Sequence, residues 1–291
     1  MFTATLLTAP STPSLDANLV HSLRNAWGGS DVVWLATNEA VEFSLPAMPD
    51  NLWDVWKDLQ GMGVDLVVQP TQGRRKAVLL ADMDSTMIGQ ECIDELADAA
   101  GIGDQVKKIT ARAMNGELNF DDSLIERVAL LKGLDQAVIA QVLHRRITLT
   151  PGGAALLATM KAQGAYAALV SGGFTAFTAH VAGVLGFDEN RANTLLIEDG
   201  KLTGEVARPI LGRDAKVQAL NEITKRLGLE PSQVMAVGDG ANDLGMLGVA
   251  GTGVALHAKP AVAAECDVRI NFGDLSALLF IQGYARSDFV T

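Results

Sequence analysis

Two carboxylates directly follow a short apolar run near residue 80. Asp82 and Asp84 come after Ala77-Val78-Leu79-Leu80-Ala81, whose branched residues are typical of a buried strand. Side chains at the carboxyl end of such a strand lie at the edge where α/β sheets bind ligands. Burying two carboxylates is costly without a positive partner, and Mg²⁺ binds one or two carboxylates together with a substrate phosphate. The pair therefore indicates a magnesium site, with a plain acidic turn as the alternative.

Two further turns have the composition of ligand-binding loops. Ser171-Gly172-Gly173 follows a second apolar run, and its glycines would let backbone N–H groups approach an anion closely. Gly238-Asp239-Gly240-Ala241-Asn242-Asp243 follows a third run, with Asp239 and Asp243 spaced to converge on a metal. Ordinary strand-to-helix turns, in which Asn242 or Asp243 caps the next helix, have the same composition. The turns alone leave both interpretations open.

A lysine in the following helix is the fourth candidate. Lys216 lies early in a pattern in which Leu220, Ile223 and Leu227 recur at helical spacing, so the helix is predicted to pack on the core. A lone lysine on such a helix is usually solvated, and by itself the spacing favours that reading.

Taken in order, the four segments resemble the haloacid dehalogenase superfamily of phosphohydrolases. Asp82-x-Asp84-x-Thr86 matches its first motif, Ser171 the second, Lys216 the third and Gly238-Asp239-Gly240-x-x-Asp243 the fourth. The resemblance covers about residues 76–291 and implies an α/β fold with a Rossmann-like parallel sheet. Other residues narrow the resemblance to the phosphoserine phosphatase family: Glu91, Met114, Phe120, Arg127, Gly172, Gly173 and Asn242.

The resemblance implies a role for each of these residues. Asp82 would be the nucleophile that forms an aspartyl-phosphate, and Asp84 the general acid and base. Lys216, also catalytic, would hold phosphate oxygens together with Ser171 and the Gly172-Gly173 turn. Mg²⁺ would be bound by four acidic residues, namely Asp82, Asp84 through its main-chain carbonyl, Asp239 and Asp243. The other substrate-binding residues would be Glu91 for the ammonium, Arg127 for the carboxylate, Met114, Phe120 and Asn242.

The implied reaction is hydrolysis of O-phosphoserine to serine and phosphate, the last step of serine biosynthesis. Two alternatives stay open. The first is a phosphotransferase that passes the phosphoryl group to another amino-acid hydroxyl, such as that of homoserine. The second is an amino-acid-responsive regulatory protein whose phosphatase half is secondary.

Three parts of the chain are expected to position these residues. Residues 1–70 show the order βαββαβ, which predicts a ferredoxin-like domain and resembles an ACT-type domain by topology alone. A docking or dimerising module without a ligand is the alternative for this part. Residues 89–148 carry apolar residues at helical spacing and are predicted to form a helical cap, as in the family. Residues 71–88 and 149–291 would then make the catalytic core.

Composition limits the partners. The net charge of −11 argues against nucleic acid and anionic membranes as partners, while the resemblance implies a small-molecule substrate. Cys92 and Cys266 are the only cysteines and lie in no CxxC pattern, which indicates a reducing, cytoplasmic compartment and no zinc site. No uninterrupted apolar stretch approaches the length of a transmembrane helix. A homodimer is an open alternative to a monomer.

Overall fold

Residues 2–70 form a four-stranded antiparallel sheet with two helices. The computed structural model describes residues 1–114 and 117–290 of the chain. The strand order is β2-β3-β1-β4, which confirms the predicted βαββαβ, ferredoxin-like arrangement. In chain order the elements are β1 (Phe2–Thr8), α1 (Ala17–Ala26), β2 (Val33–Ala36), β3 (Ala40–Leu45), α2 (Leu52–Gln60) and β4 (Val64–Pro70).

The two faces of this N-terminal sheet have different neighbours. Leu6 and Phe43 face one cluster, which they share with Val20 of α1 and Leu59 of α2. Side chains on alternate positions, such as Val67, belong instead to the large cluster of the rest of the molecule. Since successive side chains of a strand point to opposite faces, the sheet is covered by its own helices on one side and by the part of the molecule after residue 70 on the other, which is called the catalytic part below because it carries the candidate site.

A second sheet has six parallel strands in the order β12-β11-β10-β5-β6-β7. This confirms the predicted Rossmann-like parallel sheet. The strands are β5 (Val78–Ala81), β6 (Tyr166–Phe174), β7 (Glu189–Asn193), β10 (Val234–Gly238), β11 (Thr252–Leu256) and β12 (Val268–Ile270). A hairpin between β7 and β10 consists of β8 (Leu195–Glu198) and β9 (Lys201–Val206).

Helices cover both faces of the parallel sheet, because its strands are apolar on both sides. Leu79 of β5 belongs to the cluster that contains Phe177 of the helix after β6, and Leu80 to the cluster that contains Leu220 of the helix before β10. The helices of this part are α7 (Gly153–Ala162), α8 (Thr175–Leu185), α9 (Arg213–Leu227), α10 (Leu244–Val249), α11 (Pro260–Ala263) and α12 (Ala277–Phe280). In the described residues no helix is both long and apolar enough to cross a bilayer.

Within the described residues four α-helices lie between β5 and α7, in the stretch where the spacing of apolar residues predicts a helical cap. They are α3 (Cys92–Ala99), α4 (Gly103–Met114), α5 (Phe120–Ala129) and α6 (Ala137–Arg145). This helical insertion also pairs with the β8–β9 hairpin through its backbone. The N–H of Gly133 donates to the carbonyl of Leu202 at 2.8 Å, and the N–H of Leu202 donates to the carbonyl of Leu134 at 2.9 Å. The hairpin and the helical insertion are therefore joined by hydrogen bonds.

A buried carboxylate joins the N-terminal sheet to the segment after β12. Asp65 of β4 is fully buried and accepts hydrogen bonds from the backbone N–H groups of Asn271, Phe272 and Gly273 at 2.8 to 2.9 Å. Burial raises the pKa of this carboxyl, although the three N–H donors act in the opposite direction. The N-terminal sheet thus contributes a polar anchor, as well as an apolar face, to its contact with the catalytic part.

Candidate active site

The centre of the candidate site is a buried cluster of one lysine and two carboxylates. Asp82 directly follows β5, and Asp243 precedes α10, so both lie at the carboxyl edge of the parallel sheet. Lys216 reaches them from α9, with its Nζ 2.7 Å from Asp82 Oδ1 and 2.5 Å from Asp243 Oδ1. Their exposed fractions are 4% for Asp82, 1% for Lys216 and 0% for Asp243. Lys216 is therefore not the solvated helix residue that its spacing alone favours.

Burial and neighbouring charge perturb this cluster strongly. Desolvation raises the pKa of Asp82 well above its ordinary value, and the nearby Asp243 adds to the effect while Lys216 opposes it. Burial alone would lower the pKa of the Lys216 ammonium, but Asp82 and Asp243 outweigh it and hold that pKa above its usual value. Lys216 thus stays charged at neutral pH and partly neutralises two carboxylates.

A third carboxylate completes an acidic cluster beside the lysine. One oxygen each of Asp82, Asp239 and Asp243 lie within 4.8 Å of one another. Thr86 Oγ1 donates to Asp239 Oδ1 at 3.1 Å, and the N–H of Gly240 donates to Asp243 Oδ2 at 3.0 Å. Burial, with help from Asp243, raises the pKa of Asp239 to about 6. One ammonium cannot balance three carboxylates, so excess negative charge and oxygen-only donors fit a hard divalent cation.

Asp84 lies apart from that cluster. Its side chain points toward the start of α3 and toward Ser171 at the end of β6. Its Oδ1 accepts a hydrogen bond from the N–H of Cys92 at 3.1 Å, and its Oδ2 lies 3.5 Å from Ser171 Oγ. Directly after Asp84 the chain passes through Ser85, whose φ of 55° lies in the left-handed region. Burial, with a contribution from Glu91, raises the pKa of Asp84 to about 7. A carboxyl with that pKa can give up or take a proton near neutral pH.

The Ser171-Gly172-Gly173 segment lies within the last residues of β6, where the pairing with β7 is irregular, so the turn predicted here is wrong. This segment approaches its neighbours too closely for side chains at its glycines. A Cβ on Gly173 would come 2.5 Å from Asp84 Oδ2, and a Cβ on Gly172 would come 2.9 Å from Phe120 Cζ. Ser171 is buried, and its Oγ accepts the N–H of Gly173 at 2.9 Å. This end of β6 therefore lies directly beside Asp84, and the ring of Phe120 from the helical insertion closes over it.

Two charged residues of the helical insertion lie on the open side of the site. Glu91 is exposed and accepts a hydrogen bond from Ser85 Oγ at 2.8 Å. Arg127 is partly buried, and within the described residues its only hydrogen bond runs from Nε to the carbonyl of Ser123 at 3.2 Å. Burial lowers the pKa of Arg127, opposed by Asp94, Glu91 and Asp84. Among the described residues, neither of its two terminal nitrogens has a hydrogen-bond partner.

Two further predicted site residues are Asn242 and Met114. Asn242 is partly buried, and its amide oxygen lies so close to Gly240 that a side chain there would collide with it. A side chain at Gly238 would likewise collide with Asp243, which explains the glycine. The side chain of Met114 lies outside the described residues. The structure therefore brings together every predicted site residue whose side chain it describes.

Sequence reasoning missed Asn193, at the end of β7. Its side chain is 1% exposed and joins two segments of the site. Nδ2 donates to the carbonyls of Gly172 at 2.9 Å and Leu211 at 3.1 Å, while Oδ1 accepts the N–H of Leu211 at 2.8 Å. Leu211 lies just before α9, which carries Lys216. The only signal in the sequence was an asparagine at the end of a strand, which is also common in turns.

Comparison with known proteins gives the class to which this arrangement belongs. The model of the haloacid dehalogenase-like hydrolase family matches residues 79–248. The chain belongs to the haloacid dehalogenase-like hydrolase family. A relative named phosphoserine phosphatase, from Archaeoglobus fulgidus, is 42% identical over 224 residues, which make up 76% of this chain and 65% of the relative. The chain spans between 56% and 65% of the length of three of the curated relatives it matches.

Solved structures show the same likeness. A HAD family hydrolase from Salmonella enterica serovar Typhi is 32% identical with a TM-score of 0.87, over 97% of this chain and 99% of that one. A structure described as a phospho-aspartyl intermediate analogue of phosphoserine phosphatase is 41% identical with a TM-score of 0.66. The second likeness covers 71% of this chain and 98% of that one.

Proposed function

We propose that the protein is a Mg²⁺-dependent phosphoserine phosphatase, which releases serine and phosphate in the last step of serine biosynthesis. The observation that carries the proposal is the pairing of two features. The buried cluster of Asp82, Lys216 and Asp243 suits phosphoryl transfer, and Arg127, near Asp84 and Glu91, has terminal nitrogens without partners among the described residues. Similarity to relatives named phosphoserine phosphatase supports the same substrate.

In the proposed reaction, a carboxylate oxygen of Asp82 attacks phosphorus and the bond from phosphorus to the serine oxygen breaks. Asp84, whose pKa of about 7 leaves it partly protonated at neutral pH, gives its proton to the departing alkoxide. Water then attacks the aspartyl-phosphate, Asp84 takes a proton from it, and the bond between phosphorus and Asp82 breaks. Covalent catalysis of this kind divides one difficult displacement into two easier ones.

The remaining residues bind and orient the substrate in this proposal. Mg²⁺, held by Asp82, Asp239, Asp243 and the main-chain carbonyl of Asp84, would supply positive charge against the phosphate oxygens. Lys216 and the backbone N–H groups of the Ser171-Gly172-Gly173 segment would hold the same phosphate oxygens. Glu91 would bind the ammonium of phosphoserine and Arg127 its carboxylate, with Phe120 closing the pocket and Met114 and Asn242 completing it.

The proposal also covers the domains of the chain, its cellular compartment and its association state. The domains would be an ACT-like domain of residues 1–70, a core of residues 71–88 and 149–291, and a cap of residues 89–148. The bonds between Gly133, Leu134 and Leu202 suggest that the β8–β9 hairpin moves with the cap. We place the protein in the cytoplasm, where its two free, buried cysteines would stay reduced, and include a homodimer as one association state.

The substrate proposal is tested by replacing Arg127 with Ala. The kcat/KM for phosphoserine is expected to fall about 10²-fold or more, because a charged donor to the carboxylate is lost. The value for p-nitrophenyl phosphate, which has no carboxylate, is expected to change little. Phosphate release measures both, and Arg145→Ala, an exposed arginine of α6, is the control. Equal losses on both substrates would show that Arg127 does not read the carboxylate, and formation of phosphohomoserine in the presence of homoserine would favour phosphotransfer.

Removal of divalent metal is expected to abolish phosphate release, and Mg²⁺ is expected to restore it. Mg²⁺ should also raise the midpoint of thermal unfolding, because it binds the folded acidic cluster and not the unfolded chain. Asp239→Asn is expected to reduce this rise, while the exposed Asp214→Asn should keep it. Thermal unfolding with Mg²⁺ or with EDTA gives the measurement. Full activity in chelated protein would contradict the metal role, whichever substrate is used.

Asn193→Ala is expected to lower kcat and to weaken competitive inhibition by inorganic phosphate about tenfold. Two partly buried carbonyls lose their donor, at a cost of up to about 1–3 kcal/mol each if they stay unpaired, so the end of β6 at Gly172 is free to move away from the segment before α9. Asn193→Asp keeps the size and loses the same donors, so it should behave alike. Asn190→Ala, an exposed residue of β7 that bonds only Thr178, is the control. A lower unfolding midpoint with unchanged phosphate inhibition would reduce Asn193 to a purely structural residue.

A further inference from the structure

A large cavity lies between the N-terminal sheet and the catalytic part, away from the candidate active site. Its volume is about 740 Å³, which is in the range of small-molecule sites, and such sites often lie between domains. It is lined by α2, by the segment that follows β4 and by residues at the amino ends of β10, β11 and β12. The candidate active site lies at the carboxyl ends of the same strands. The cavity is therefore on the opposite edge of the sheet and is not the place of phosphoryl transfer.

One lysine gives the cavity a positive charge without a matching carboxylate. Lys76 is partly buried, and its Nζ donates to the carbonyl of Ser232 at 2.8 Å. Among the residues that the structure describes, Lys76 forms no salt bridge. Burial lowers the pKa of its ammonium, as expected for a cation without an anionic partner. An ammonium has three donor hydrogens, so two remain for a ligand.

The neighbouring arginines are engaged elsewhere. Arg74 pairs with Glu42 at 2.7 Å, and the guanidinium of Arg75 lies 4.2 Å from the centre of the Tyr284 ring. Two carboxylates, Glu265 and Asp267, also line the cavity, but both are exposed, so water and salt screen their charges. Lys76 is therefore the group in this cavity that gains most from an anionic ligand.

Another part of the lining is apolar and comes from α2 and the loop that precedes it. Met48 and Leu52 line the cavity together with Trp53, which is 41% exposed. The guanidinium of Arg269 lies 4.0 Å from the centre of the Trp53 ring and helps to hold that ring in place. A held indole next to aliphatic side chains suits a flat apolar group.

We propose that this cavity binds a small molecule with a flat apolar body and one acidic group. The acidic group would pair with Lys76, and the apolar body would lie against Trp53 and Leu52. Such a ligand would contact α2 and the amino ends of the core strands at once, and would hold the N-terminal sheet against the catalytic part. Its binding does not depend on the proposed phosphatase reaction, because none of the catalytic residues lines the cavity.

The test uses a pair of probes that differ in charge. Naphthalene-2-sulfonate carries the anionic group, and naphthalene-2-sulfonamide has a similar shape without the charge. Calorimetric titration of the full-length protein is expected to show saturable binding with a preference for the sulfonate. Lys76→Met is expected to weaken sulfonate binding at least about tenfold and to leave sulfonamide binding nearly unchanged, which also shows that the variant is folded.

Two controls locate the binding. Lys57→Met removes an exposed lysine from α2 outside the cavity and should leave both affinities unchanged. Trp53→Ala should weaken both probes, because it removes the apolar wall. Sulfonate bound at the catalytic site would be insensitive to both Lys76 and Trp53. Equal sulfonate affinity in the parent protein and Lys76→Met, or no saturable binding of either probe, would overturn the proposal.

Discussion

Asp82→Asn is expected to abolish turnover, with a loss of at least about 10⁴-fold in kcat, while the fold stays intact. An amide oxygen is a poor nucleophile, so the covalent step is lost and the slower direct attack of water is all that remains. The substitution keeps the shape of a side chain that is only 4% exposed, and Lys216 keeps its contact with Asp243. Phosphate release from phosphoserine measures the loss, and thermal unfolding reports on the fold.

Labelling separates the nucleophile from a merely nearby carboxylate. Brief reaction of the parent protein with ³²P-phosphoserine, followed by acid quenching, should place the label on the peptide that contains Asp82. Asp84→Asn should slow the reaction by another route, because the attacking carboxylate remains and the proton donor is lost. Asp214→Asn, an exposed acidic residue in the first turn of α9, should behave like the parent. Activity of Asp82→Asn within about tenfold of the parent would remove Asp82 from the nucleophile's role.

The strands that carry the site were predictable because their signals are local. Asp82, Ser171 and Asp239 each follow an apolar run, and parallel strands bring the ends of such runs to one sheet edge. The antiparallel β8–β9 hairpin was equally clear from Asp199-Gly200 between two apolar runs. Where the pattern of a few adjacent residues decides the outcome, the sequence alone is sufficient.

Contacts between distant segments were not predictable in this way. Asn193 acts on Gly172 and Leu211, and Asp65 acts on Asn271 more than 200 residues away, so no spacing in the sequence reveals either bond. Lys216 shows the same limit, since a lysine in a helix is ordinarily solvated and only the fold places it between two carboxylates. Burial of polar groups is decided by tertiary packing, which local patterns do not contain.

The N-terminal part gives an intermediate case. Its element order βαββαβ was predicted correctly, and the sheet has a ferredoxin-like strand order. Its attachment was not predicted, because the sheet buries one face on the catalytic part and anchors Asp65 there. An ACT-like role for residues 1–70 stays a prediction, as does the alternative of a docking or dimerising module. The cavity lined by Lys76 and Trp53 is a proposed ligand site and belongs to neither of these two alternatives.

Lys216→Met is expected to lower the free energy of unfolding by about 3–5 kcal/mol at neutral pH, in addition to abolishing activity. Methionine fills a similar volume, so the main change is electrostatic. Asp82 and Asp243 are then left buried without their shared cation. Equilibrium unfolding in urea, with EDTA present, gives the measurement.

The direction of the pH dependence follows from the raised pKa of Asp82. A carboxyl whose pKa is higher in the folded protein than in the unfolded chain binds its proton more tightly when folded. It therefore destabilises the fold as pH rises through that folded pKa, and removal of Lys216 strengthens this effect. The deficit of Lys216→Met relative to the parent should therefore grow as pH rises from the acid to the alkaline side.

Two changes to the Lys216→Met variant, a second substitution and added Mg²⁺, show whether loss of the ammonium charge causes the loss of stability. Asp243→Asn combined with Lys216→Met should recover part of the lost stability, because one of the two unpaired charges is removed. Mg²⁺ should also recover part of it, since a cation bound by the acidic cluster replaces the ammonium. Asp214→Asn in the Lys216→Met background should recover nothing. The loss of stability in Lys216→Met could instead be independent of pH, of the Asp243→Asn substitution and of Mg²⁺. That result would mean that Lys216 stabilises the fold through packing of its aliphatic stem and does not balance the charge of the carboxylates.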